Sequence, residues 1–194
     1  MQDERKFIPY AVQKGNRPKI DAVINNCLDG DLQRSALDFA AYMRDNNMPF
    51  RLFTSTTRSQ RANYKNQVIC MINIYAEEDW NHVDIAREGD PQHWSIAPHL
   101  LNMDKYLDAI KNEQLQIDFN GRIWWCKHGI HGYERTGGCA PDKSCAGGKD
   151  MTVFGDKFAG VCRWSWLPAK NPDAATINKI KKLLELEQQA RDAV

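Results

Sequence analysis

The residues best suited to chemistry in this chain of 194 residues lie between Trp124 and Trp166, a segment holding four of the six cysteines and four of the six tryptophans. Cys126, Cys139, Cys145 and Cys162 follow the spacing C-x12-C-x5-C-x16-C, with His128 and His131 just after the first of them. Zinc takes four sulfur or nitrogen ligands in a tetrahedron, and thiolates bring negative charge that offsets the ion. These four cysteines are therefore the expected ligands of a structural zinc site. Either histidine can replace a cysteine, because imidazole is also a good zinc ligand. The spacing has no C-x2-C knuckle and is a less specific signal than a zinc ribbon. Two readings compete with metal. In one, Cys126 and Cys162 are small buried hydrophobes on strands and Cys139 and Cys145 are exposed thiols. In the other, the cysteines pair as disulfides. Cys27 and Cys70 occupy apolar positions of a helical and a strand pattern, where core packing is the expectation.

From Lys127 to Asp150 the chain has neither helical nor alternating period, and it carries Gly129, Gly132, Gly137, Gly138, Gly147 and Gly148, half of the twelve glycines. Irregular runs of this length are uncommon in compact domains and are usually functional, clamped or disordered. A bound metal is the expected clamp. In an enzyme, a cysteine beside His128 or His131 would ionise and attack an electrophilic carbon, with backbone amides holding the oxyanion. An open metal position would instead supply a metal-bound water. Gly148-Lys149 does not extend to a phosphate loop, since the leading glycine is missing and Asp150 stands where Ser or Thr must follow.

Trp164 and Trp166 are two apart on a presumed strand and so share a face, whereas the adjacent Trp124 and Trp125 point to opposite faces. The expectation is a sheet face lined with large rings, suited to a planar organic ligand; plain core packing is the alternative. Trp80 and Trp94 flank an acidic loop and are further candidates for closing such a pocket. A locally basic patch, Arg51, Arg58, Arg61 and Lys65, could bind phosphates or be a solvated turn. Against a nucleic-acid partner stand the near-neutral charge and the lack of a helix-turn-helix or aromatic single-strand pattern.

Lys plus Arg (26) and Asp plus Glu (25) nearly cancel to +1, so no global field draws the chain to nucleic acid or an anionic membrane. Apolar residues at 42% and charged residues at 26% are ordinary globular usage, enough for a sizeable core. One α+β domain spanning 1–194 is expected. A helix followed by a strand hairpin occurs twice, from Asp31 and from Asn102, which would divide the chain at 17–100 and 101–194, but no residue-level self-similarity supports a duplication. The start, MQDERKFIPY, has charges where a signal peptide needs an apolar stretch, and no run of about 18 apolar residues would span a bilayer. The expected location is cytoplasmic, where reduced thiols argue against disulfides.

These residues need elements to position them. Asn16-Arg17-Pro18 resembles a helix start for the stripe Ile20, Val23, Ile24 and Cys27, and a turn at Asp29-Gly30-Asp31 leads to a second stripe, Leu32, Ala36, Phe39, Ala40 and Met43. Phe50–Thr54 reads as a strand, Arg58–Asn66 as a polar turn, Val68–Tyr75 as a buried strand, Glu77–Gln92 as a surface loop and Trp94–Pro98 as a third strand. Asn102 is expected to cap a helix carrying Met103, Tyr106, Leu107 and Ile110. Leu115, Ile117 and Phe119 alternate towards an Asn120-Gly121 turn with Arg122–Cys126 as partner strand. A second hairpin joins Met151–Phe154 to Phe158–Leu167 across Gly155-Asp156. Asn171-Pro172 begins a final helix with Ile177, Ile180, Leu183 and Leu184 inward and a charged tail beyond. The fold class is α+β, a mainly antiparallel sheet with helices on one face.

The expected function is binding or sensing of a small molecule, with the cysteine-rich segment held by zinc beside the aromatic face. An enzyme using a thiolate or metal-bound water is the alternative. A protein-interaction module of the phage or mobile-element kind is the third.

Overall fold

The computed structural model describes residues 19–52, 59–74, 94–118, 149–161 and 167–193. The chain opens with α1 (Ile20–Cys27) and α2 (Gly30–Asp45), an antiparallel helical pair. Ile20, Val23 and Ile24 of α1 and Ala36, Phe39, Ala40 and Met43 of α2 are buried, as their helical spacing predicts. Full burial of an Ile or Phe side chain is worth about 1.5–3 kcal/mol each. Helix α1 takes Lys19 as its N-cap residue, and the expected Asn16-Arg17-Pro18 start lies outside the described residues. Gly30 has φ +52°, a left-handed conformation that favours glycine, and this lets the chain reverse between the two helices. Asn47, at φ +59°, ends α2 in the same way.

Among the described residues, five antiparallel strands form the main sheet in the order β1-β2-β3-β4-β7: β1 (Phe50–Leu52), β2 (Ser59–Tyr64), β3 (Gln67–Ile74), β4 (Trp94–Pro98) and β7 (Ala169–Lys170). The polar turn expected over Arg58–Asn66 is wrong: Ser59–Tyr64 is a strand, and the turn is only Lys65-Asn66, at φ +46° and +62°. Two consecutive left-handed residues match the right-handed twist of a hairpin, so this tight turn pairs β2 with β3 despite the low hydrophobicity of SQRANY. Strand β2 buries Gln60 and Ala62, and Tyr64 packs half-buried against the core.

Register skips between Ala62 and Asn63, leaving Ile69 as an extra residue on β3. Such a bulge re-aims a side chain, and Ile69 and Cys70, consecutive on a strand, are both fully buried. Phe50, Ala62, Cys70 and Pro98 are cross-strand neighbours on the face that meets the helices, where the Phe50 and Phe39 rings lie 6.1 Å apart. Trp94, Ile96, Ile72 and Ile74 share that face and the core.

After β4 comes a 3₁₀ helix, Met103–Tyr106, and then α3 (Leu107–Asn112). Asn102 precedes them without capping by its side chain, which is engaged elsewhere. Leu115 and Ile117 are buried as their alternation implied, but residues 115–118 are irregular instead of forming a strand. Phe119, the Asn120-Gly121 turn and Arg122–Cys126 lie outside the described residues, as does the Glu77–Gln92 loop.

A second, two-stranded sheet pairs β5 (Lys149–Val153) with β6 (Asp156–Val161). Its turn is Phe154-Gly155, one residue earlier than the spacing suggested, with both residues at positive φ. Strand β5 begins at Lys149, two residues before the expected Met151. The last element is α4 (Ala174–Asp192), capped by Asp173, whose carboxylate accepts from the Thr176 backbone N–H at 2.7 Å. Ile177, Ile180, Leu183 and Leu184 face inward as expected. The charged end is not a trailing tail, because Glu187, Ala190 and Arg191 continue the same buried stripe. No described helix is long and apolar enough to cross a membrane.

Candidate functional site

Every residue expected to bind metal or ligand lies outside the described residues: Trp124, Trp125, Cys126, His128, His131, Cys139, Cys145, Cys162, Trp164 and Trp166. Their stems are described. Ile117 before the segment, Val153 after its irregular run and Val161 immediately before Cys162 are all buried in the one hydrophobic core. Cys70 is fully buried, as its strand position implied, and burial pushes its thiol well above the ordinary range. Cys27 packs half-buried against the same core. Trp94 is fully buried opposite Ile74 and faces the helices, so it is a core residue and not the rim of a pocket. Among the described residues no cluster of three or more His, Cys, Asp or Glu could hold a metal ion.

One cluster of charged groups is built into the core, around Glu187 on α4. Glu187 Oε1 accepts from Arg191 Nε at 2.8 Å and from Asn102 Nδ2 at 2.8 Å. Oε2 accepts from the Tyr106 hydroxyl at 2.7 Å and from the Asn102 backbone N–H at 3.1 Å. Four donors meet the four lone-pair positions of the carboxylate, so it has no acceptor capacity left for a substrate. Arg191 also donates to the His99 carbonyl at 3.0 Å and to the Val68 carbonyl at 3.3 Å. The His99 ring Nδ1 lies 3.2 Å from the same Val68 carbonyl. A carbonyl only accepts, so this contact puts a proton on Nδ1. Burial first, then the neighbouring Glu187 charge, drives the Tyr106 phenol far above its ordinary value, keeping it a donor.

This cluster joins the ends of β3 and β4, the 3₁₀ helix and α4. It is a closed structural clamp. Its members were half legible: Glu187 and Arg191 stand at i, i+4 and extend the stripe Ile177–Ile180–Leu184 by whole turns, a spacing that brings opposite charges together. Nothing in the sequence pointed to Asn102 and His99 as their partners.

The far face of the main sheet differs. Strand alternation puts Arg51 of β1 opposite Arg61 of β2, with Met71 of β3 and Ala97 of β4 next in the same row. One step along, Asn73, Ser95 and Lys170 form a second row, with Asn73 Nδ2 donating to Ser95 Oγ at 3.1 Å. Arg51 is exposed and Arg61 half-buried, whereas Ser95 and Ala97 at the middle of the face are 1% exposed each. Burial lowers the Arg61 guanidinium from its ordinary value, since desolvation penalises the charged form.

Between α2 and the first turn of α4, Arg34, Ser35, Asp38, Ala174, Ile177 and Asn178 line a shallow groove of about 230 Å³. Small-molecule sites usually enclose about 300–1,000 Å³, and the helix end beside this groove is already capped by Asp173.

No family model, curated protein or solved structure matches this chain.

Proposed function

We propose that this protein is a small-molecule-binding or sensing α+β domain, in which a zinc-held, cysteine-rich segment stands beside a face lined by Trp124 or Trp125 and Trp164 or Trp166. The supporting observation is the pinning of the segment at its stems. Ile117, Val153 and Val161 are anchored in one core, and the run between them carries Cys126, Cys139 and Cys145, with Cys162 directly after Val161. Ordering a long stretch without regular periodicity costs conformational entropy, and the binding free energy of a tetrahedral metal offsets that cost. The thiolates supply the charge and softness that zinc selects.

Metal content of untagged protein, purified without chelator and measured by mass spectrometry, tests the metal. The expected result is close to one zinc per chain. Absence of metal together with six titratable thiols overturns that half of the proposal. The aromatic half is tested by titrating a planar aromatic compound against tryptophan fluorescence, where quenching is expected and its absence at millimolar concentration counts against the pocket.

A further inference from the structure

We draw no further inference here: the strongest candidate, the shallow groove between α2 and the first turn of α4 lined by Arg34, Ser35 and Asn178, rests on a helix N-terminus that Asp173 already caps, and nothing else described there points to a ligand.

Discussion

The clamp around Glu187 and the row around Arg51 both gather charge on the main sheet, and they do so with opposite economy. At the clamp, an acid and a base on successive turns of α4 are buried together and every lone pair of the carboxylate has a donor. On the far face, the exposed Arg51 and the half-buried Arg61 stand opposite each other. Charges that complete one another inside a protein hold it together. Charges of one sign that face each other across two strands do not stabilise one another.

Breaking the clamp should have the largest effect. Glu187→Ala leaves Arg191 buried without its counter-ion and strands the donors of Asn102 and Tyr106. Removing one partner of a buried pair costs about 3–5 kcal/mol, to be read from urea unfolding. Tyr106→Phe removes one donor and should cost about 1–3 kcal/mol. Asp173→Ala removes the cap of α4 without touching either charged region, and about 1 kcal/mol is expected from the same measurement.

Acid gives a smaller and graded effect. Asp173 is held below its ordinary value by the hydrogen bonds of Thr176, and Asp192 by those of Lys65 and Tyr64. A depressed carboxylate stabilises the fold fully above its ordinary value of 3.8, and loses that contribution as pH falls through the lower folded value. Unfolding midpoints should therefore fall as pH drops from about 5 towards 2, and Asp192→Asn should flatten the slope. The smallest effect sharpens the contrast most. Arg51→Gln should change stability by no more than about 0.5 kcal/mol in either direction, since an exposed arginine facing another arginine is not what holds β1 in place. A loss comparable to that of Glu187→Ala would mean that the two regions are of one kind.

Some elements were legible because periodicity records burial. The stripes of α1, α2 and α4 and the runs of β3 and β4 each follow from which residues avoid water. Strand β2 was hidden because its pairing with β3, not its hydrophobicity, makes it a strand: of its buried residues one, Gln60, is polar and the other, Ala62, is small. Asn102 looked like a helix cap because local capping is the common fate of such a residue, but Glu187, distant in sequence, offers two charged acceptors instead. The cysteine, histidine and tryptophan candidates lie outside the described residues, so their arrangement rests on spacing and chemistry.

The sequence by itself determined the class of fold, an antiparallel sheet with helices on one face, because helical and alternating spacing of apolar residues are local properties of the chain. It also determined which residue types are available for metal and aromatic chemistry. Only the tertiary structure decided that Glu187 and Arg191 are interior, that Ile69 turns inward at a bulge, and that Arg51 faces Arg61. Each depends on a partner contributed by a separate element, and cross-strand register and buried hydrogen bonds are set by packing between elements rather than by the pattern within any one of them.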